Sequence, residues 1–230
     1  MPKLTRKFIA EERERETHQR TNFSEIDLSN INLRDLNLYI CRFNETDLRN
    51  TNFRGSMLEG AYFNQATING TSFVEAKLFK ADFDNTTIQS ANFTRAEAEC
   101  ALMNNSSLMD VDMIYSKLTG LCLAGSILDR ADFTGSNLTA AALDDCNIIS
   151  SIFDHADFIE AGLEQATINC SRFYGANFTG AKLKNANFRG SDLRRAIFTG
   201  AKLHGADFTG ALLEGATFEG AVGVDQAIFT

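Results

Sequence analysis

Large apolar side chains recur at every fifth residue of this chain, from Phe23 to Phe218, with Ala98 as the one exception. A small residue such as Ala61 or Ala181 stands two positions before most of them, and a mainly polar residue lies between. Residues two apart point the same way in extended chain, so the small and the large residue both face inward. The remaining two positions carry most of the glycines and must turn the chain, since glycine tolerates positive φ. Each pentapeptide therefore predicts a short straight side followed by a corner.

The number of sides in one coil follows from the identity of the large residues. Large residues that lie four pentapeptides apart are identical in 23 of 36 pairs, against 6 of 37 at three pentapeptides and 6 of 35 at five. A separation of two pentapeptides gives 19 of 38, but a coil with two sides encloses no core. Crossovers between parallel strands are almost always right-handed. The predicted fold class is therefore all-β: a right-handed quadrilateral parallel β-helix of about ten coils, with a short N-terminal helical cap.

Four faces run along such a helix. The first face begins with Phe23, the second with Leu28, the third with Leu33 and the fourth with Leu38, and each continues at every twentieth residue. Within a pentapeptide, position one is the small inward residue, position three is the large inward residue, and positions four and five form the corner. Position two and the corner positions four and five are expected to face outward.

The run AKLKNANFRGSDLRRAIFTGAKLHGADFTG at residues 181–210 resembles the A(D/N)Lxx signature of pentapeptide repeat proteins, and the resemblance extends over nearly the whole chain after residue 20. It implies a right-handed quadrilateral β-helix, in agreement with the count above. Roles differ within that family: some members protect DNA gyrase from quinolones or other inhibitors by imitating DNA, one regulates heterocyst differentiation, and most have no assigned activity. The repeat here is unbroken, unlike that of the plasmid-borne quinolone-resistance members, which carry projecting loops.

The limits of the repeat divide the chain into an N-terminal helical cap at 1–19, the pentapeptide-repeat β-helix at 20–220, and a C-terminal tail or cap at 221–230. Charged residues predict a helix over Thr5–His18, where Leu4, Phe8 and Ile9 are available to cover the first coil, because the end coils of a solenoid expose apolar faces and strand edges. The apolar tail after Gly223 is expected either to plug the last coil or to pair with a second molecule. The resemblance implies the second outcome, a homodimer, for gyrase-protecting relatives.

Composition indicates a single elongated domain without catalytic chemistry. The chain has 230 residues, and no apolar stretch approaches the roughly 20 residues that cross a membrane. The first residues lack the apolar core of a signal peptide, so a cytoplasmic location is expected. The three histidines are scattered, and no nucleophile–base pair, metal-ligand spacing or phosphate loop is present, so we expect no enzyme activity, no cofactor and no metal. The five cysteines, an odd number, are expected to be free thiols.

The formal net charge of −8 is unevenly distributed. Residues 96–170 carry twelve acids and two bases, whereas residues 171–205 carry seven bases and one acid. The acidic segment spans about 18 Å of the predicted rod, so its charge density is close to that of duplex DNA, roughly one charge per 1.7 Å. This density fits mimicry of DNA, but the basic band beside it does not, and an acidic surface that serves only solubility is the other interpretation. Direct binding of nucleic acid is not expected.

Apolar residues at outward positions of the same region mark a candidate site for a protein partner. They are Met109, Ile127 and Ile149 on the second face, and Ile114, Tyr115 and Ile152 on the third face. These faces share a corner, so one patch is expected, with an acidic rim of Asp110, Asp112, Asp129, Asp132 and Asp154. An apolar centre with a charged rim is typical of protein interfaces. The sequence therefore predicts a non-enzymatic, rigid interaction scaffold or regulator, with a DNA-mimicking modulator of DNA gyrase or another topoisomerase as the alternative.

Overall fold

The computed structural model describes residues 5–15 and 21–229, and these residues form a parallel β-solenoid entered from a short helix. The elements are helix α1 (Arg6–Arg15), strands β1 (Ile68–Asn69), β2 (Thr87–Gln89), β3 (Ser107–Met109), β4 (Ile127–Asp129), β5 (Asn147–Ile149) and β6 (Thr167–Asn169), and a 3₁₀ helix (Val224–Gln226). The six strands make one parallel sheet in chain order, and each pairs with the next in a register of four pentapeptides, as Ile88 does with Leu108. The predicted coil length is therefore confirmed.

The regular sheet covers fewer turns than the ten coils that the repeat predicts. Strands β1–β6 span five turns and all lie on the second face. Beyond them, and on the other three faces, single parallel bridges continue the same register, from Asn22 and Arg42 at one end to Lys202 and Val222 at the other. A side of one pentapeptide leaves room for only a few ladder pairs before the chain turns, so the solenoid has few regular strands.

The corners lie where the repeat predicts them. Every fifth residue from Glu25 to Gly220 has a positive φ, and this includes β-branched Ile40 at 53°. At most corners outside the strands β1–β6 the N–H of position one donates to the carbonyl of the preceding large residue, as Thr51 does to Leu48 at 3.0 Å. A positive φ at the third residue of such a turn is the type II signature, which glycine fits without strain.

Stacked columns of large side chains fill the interior. On the first face Phe63 stacks on Phe43 and Phe83, with ring centroids 5.1 Å and 4.4 Å apart. Between the first and third faces, which lie opposite each other, the contacts are edge-to-face, as between Phe53 and Phe63 at 6.1 Å. Inward hydroxyl groups at position one donate to carbonyl groups of the preceding coil, as Thr51 does to Leu28 at 2.7 Å. Serine and threonine are therefore tolerated in the core because their donors are satisfied.

Asparagine and aspartate at position two have a structural role. Their side-chain oxygens accept the backbone N–H of position four, as in Asn92 with Thr94 and Asp132 with Thr134, both at 2.8 Å. This bond supplies a partner for an N–H that points away from the ladder. The repeat thus favours aspartate or asparagine there irrespective of function.

The N-terminal helix packs against the core of the solenoid through Ile9. Ile9 is fully buried, whereas Phe8, which was also expected to cover this end, is 43% exposed. The Arg6 guanidinium donates to the carbonyl of Asn32 at 3.3 Å and ties the helix to the third face. Leu4 and His18 lie outside the described residues. No helix in the described part of the chain is long and apolar enough to span a membrane.

The C-terminal tail extends the solenoid by one further parallel bridge. After Gly223 the 3₁₀ helix inserts one extra residue, so that Ile228 pairs with Asp207. The N–H of Ile228 donates to Ala206 at 2.9 Å, and Phe229 stacks on Phe208 with ring centroids 5.2 Å apart. Large residues of the last coil stay partly exposed. The tail therefore covers part of the last coil without closing it.

Candidate functional site

Three of the predicted apolar residues lie on neighbouring strands of the second face. Met109, Asp129 and Ile149 are consecutive partners in register on β3, β4 and β5, so a carboxylate stands between the two apolar side chains. Ile127 lies on the same strand as Asp129 and is 46% exposed, while Met109 and Ile149 are half-buried. This group therefore has one prominent apolar residue.

The other three apolar residues are divided between two places on the third face. Tyr115, at a corner and 59% exposed, lies over the backbone of Gly135, where a Cβ would be 2.5 Å from the tyrosine ring. Half-buried Ile114 precedes it. Ile152 lies two coils further along, in register between Asp132 and Arg172. Charged residues thus interrupt the expected single patch, which divides into separate apolar groups.

Arg130 engages two of the five predicted rim carboxylates. Its guanidinium donates to both carboxylate oxygens of Asp110, at 2.7 Å and 3.0 Å, and to Asp129 at 2.6 Å. The hydrogen bond from Arg130 lowers the pKa of Asp110. Arg130 therefore offsets the negative charge of both carboxylates locally.

Asp154 is not the exposed rim residue that the sequence suggested. It is only 8% exposed, forms an ion pair with Arg172, and accepts the backbone N–H of Tyr174 at 3.1 Å. Position two of the pentapeptide that contains Tyr174 is Arg172, which cannot accept an N–H, so the carboxylate of the preceding coil takes over this role. Asp154 is thereby a structural residue.

Asp112 and Asp132 are the remaining rim residues and are neighbours in register on the third face. Burial raises the pKa of Asp112, and the nearby Asp132 carboxylate raises it further. Asp132 accepts the N–H and the hydroxyl of Thr134, at 2.8 Å and 2.6 Å. Asp112 has no hydrogen bond or ion pair of its side chain among the described residues. This pair is the least favourable carboxylate contact of the predicted site.

The acidic segment as a whole divides into engaged and free carboxylates. Six of its twelve acids bind an arginine, a lysine, a hydroxyl or a backbone N–H. Within the part of the chain that the structure describes, the six free carboxylates are Glu99, Asp112, Asp145, Asp157, Glu160 and Glu164. They lie on the first, third and fourth faces and their corners. The sequence supplied the total charge but not this division.

The described residues hold no group of three or more His, Cys, Asp or Glu side chains that could bind a metal. Burial raises the pKa of the Cys146 thiol to about 12, so it is not a nucleophile. The ring of His155, at a corner, packs edge-to-face against Tyr174 at 5.6 Å. No side chain among those described is paired as a nucleophile with a base.

Two features were missed by the sequence analysis. One is an aromatic and basic group on the third face, where the Arg194 and Arg195 guanidiniums lie 5.9 Å and 5.6 Å from the centre of the Tyr174 ring. The other is the near absence of charge on the second face between β1 and β6, where Asp129 is the one charged residue at positions two and four. Both features can be recognised in the sequence when outward residues that lie 20 apart, and so share a face, are compared with one another in the same way as the inward residues.

Comparison with known proteins agrees with this architecture. A sequence profile described as pentapeptide repeats, in 8 copies, matches residues 126–165, 171–210 and 201–223, and one described as a pentapeptide repeat region matches residues 36–113. No protein of curated function has significant sequence similarity to the chain.

Two solved structures illustrate the likeness. HetL, a pentapeptide repeat protein involved in heterocyst differentiation regulation from the cyanobacterium Nostoc sp. Strain PCC 7120, is 25% identical over 94% of this chain and 96% of its own, with a TM-score of 0.50. Full-length QnrB1, a plasmid-mediated fluoroquinolone resistance protein, is 16% identical over 84% of this chain and 93% of its own, with a TM-score of 0.41. With matching profiles over well over half of its length, the chain belongs to the pentapeptide repeat proteins.

Proposed function

We propose that this protein is a non-enzymatic interaction scaffold or regulator that binds a protein partner in the cytoplasm through the central part of its second and third faces. The observation that carries the proposal is the exposure of Ile127 and Tyr115 at outward positions of a continuous solenoid. Such residues are typical anchors of protein interfaces, where aromatic and large apolar side chains enter the partner. The regulatory role of HetL, which has a similar length and fold, supports the same class of function.

The partner site is tested by two lysine substitutions with a matched control. Ile127→Lys combined with Tyr115→Lys should abolish capture of the partner from native lysate, identified by mass spectrometry. Met57→Lys combined with Phe79→Lys changes two side chains of similar exposure on the fourth face and should leave capture intact. Equal capture by both double variants, at unchanged melting temperature, would place the interface elsewhere.

The alternative function is modulation of DNA gyrase or another topoisomerase by DNA mimicry. It is favoured by the six free carboxylates, which give the central coils an outward negative field on three faces. A supercoiling assay with purified gyrase, with and without a quinolone, tests it directly. If the protein neither inhibits supercoiling nor rescues gyrase from the drug, this function is excluded.

A homodimer through the C-terminal end belongs to the same proposal. The last coil leaves Val222, Ile228 and Phe229 between 42% and 52% exposed at an open strand edge. Exposed strand edges and apolar ends favour pairing with a second chain. Ile228→Lys should remove such a dimer, as measured by sedimentation velocity.

A further inference from the structure

The outer surface of the second face differs from the other three faces in its lack of charge. From Thr67 to Asn169 it presents twelve outward residues at positions two and four: Thr67, Asn69, Thr87, Gln89, Ser107, Met109, Ile127, Asp129, Asn147, Ile149, Thr167 and Asn169. Only Asp129 is charged, whereas the equivalent positions of the same coils carry four charges on the first face, four on the third and five on the fourth. Arg130, at the corner, neutralises Asp129 at 2.6 Å. In a protein with 23% charged residues, this is a neutral strip.

The same strip is the most regular surface of the molecule. It carries all six regular strands of the described residues, with an uninterrupted parallel register from β1 to β6. Its side chains are arranged in rows, in which the Asn69 amide donates to Gln89 at 3.4 Å. A shallow groove of about 380 Å³ lies over β1 and β2, and its lining combines uncharged polar residues such as Gln65, Asn85 and Thr87 with Ala66 and Ile68.

This chemistry restricts what can cover the strip. Nucleic acids and anionic lipid surfaces are bound through clusters of lysine and arginine, which the strip lacks. It carries instead hydroxyls, amides and the three apolar side chains Met109, Ile127 and Ile149. Stacked sheets meet about 10 Å apart with interdigitated side chains, and such packing extends over several strands when both surfaces have the same strand spacing. A second copy of this strip offers such a surface, because it has the same strand spacing and no unpaired charge.

We propose that two copies of this protein associate face to face through the second face between β1 and β6. Every coil of one copy has the same rise as every coil of the other, so side-chain rows can interdigitate over all six strands at once. In an isologous pair the strip of one copy packs against the same strip of the other copy. Because the strip is neutral, this contact avoids the repulsion that the acidic faces would produce. This self-association requires no other partner, although Ile127 belongs both to this strip and to the partner site proposed above.

The small area of the strip indicates a weak association. Six strands at about 4.8 Å and a width of about five residues give roughly 450 Å² per copy. Stable complexes bury about 800 Å² per partner, so this contact belongs to the weak and reversible class. We therefore expect a monomer–dimer equilibrium that appears only at high concentration, about 10 µM and above.

Purified protein alone is sufficient for the test. Sedimentation velocity over a concentration series should show association of the unmodified chain. Thr87→Lys combined with Thr167→Lys, and separately Thr87→Glu combined with Thr167→Glu, should each weaken it by at least tenfold through like-charge repulsion. An equimolar mixture of the lysine and glutamate variants should associate again, because the two charged strips are then complementary. This recovery cannot come from misfolding.

The control is Thr119→Lys combined with Thr139→Lys, the same change at outward positions of the fourth face. It should associate as the unmodified chain does. A chain that stays monomeric at millimolar concentration would overturn the proposal. So would strip and control variants that associate equally, a result that would assign the contact to another surface such as the C-terminal end. None of these outcomes depends on capture of a different partner.

Discussion

Gly162 and Asp144 form a coupled pair that gives the sharpest energetic test of this structure. Of the sixteen glycines, Gly162 alone lacks a positive φ, so its backbone does not require glycine. A Cβ at this residue would lie 2.9 Å and 3.0 Å from the two carboxylate oxygens of Asp144. That carboxylate accepts the N–H of Glu164 at 2.7 Å, because Gly162 at position two offers no acceptor. The glycine therefore makes room for the hydrogen bond.

The expected free energies follow from this geometry. Asp144→Ala removes one hydrogen bond at a half-buried site and should destabilise the fold by about 1 kcal/mol. In the Asp144→Ala background, Gly162→Ala should stabilise it by about 0.4–1 kcal/mol, because alanine restricts the unfolded chain. In the unmodified chain the same Gly162→Ala displaces the carboxylate and loses its bond, so the gain disappears or reverses. The coupling free energy is therefore about 1 kcal/mol.

A double-mutant cycle measured by thermal unfolding decides the matter. Asp84→Ala provides the control, since its carboxylate accepts the N–H of Asn104 at 2.7 Å in a coil distant from Gly162. Gly162→Ala and Asp84→Ala should be additive within about 0.5 kcal/mol. If Gly162→Ala has the same effect with and without Asp144, the carboxylate does not depend on the glycine and the reasoning fails.

Four further substitutions test the corners, the core and the carboxylate pair. Ile40→Asn should raise the melting temperature, since a β-branched residue at φ 53° is strained by about 1–2 kcal/mol that asparagine largely avoids, and a lower melting temperature would refute this. Phe63→Ala should cost about 3–5 kcal/mol in urea unfolding. Phe23→Ala should cost less, because Phe23 lies at the end of the same column and stacks on Phe43 alone among the rings that the structure describes. Asp112→Asn should stabilise the fold at neutral pH, because the raised pKa of Asp112 means that its ionised form opposes folding. This gain should shrink as the pH falls through the raised pKa of Asp112 and should be absent below about pH 4, where the carboxyl is protonated in the unfolded chain as well, and a pH-independent gain would contradict this explanation.

The fold could be predicted because the identities of the inward residues indicate how one coil aligns with the next. Phe23, Phe43 and Phe63 share a column only if a coil has four pentapeptides, and stacking of like rings rewards that spacing. The register of the tail after Gly223 could not be predicted in the same way. One extra residue in a 3₁₀ turn restores the register for Ile228, and no periodic count anticipates a single insertion.

The candidate site was less predictable because outward side chains do not select one another by shape. Tyr115 and Ile127 were identified correctly as exposed, since their positions in the repeat fix their direction. Asp154 was not identified as buried, because its partner Arg172 and the unmet N–H that it accepts both belong to the next coil. A charge count in sequence order cannot separate carboxylates that hold the coils together from those that face a partner.

The distribution of charge over the four faces determines which of the proposed activities can occur together. The free carboxylates lie on the first, third and fourth faces, and the neutral strip lies on the second. Pairing of two strips would therefore leave the acidic surfaces of both copies outward, so self-association and DNA mimicry are compatible and a dimer would present twice the charge. Binding of another protein at Ile127 differs, because the same side chain lies inside the strip. Partner capture through Ile127 should consequently weaken as the concentration of this protein rises, whereas any effect on gyrase should not.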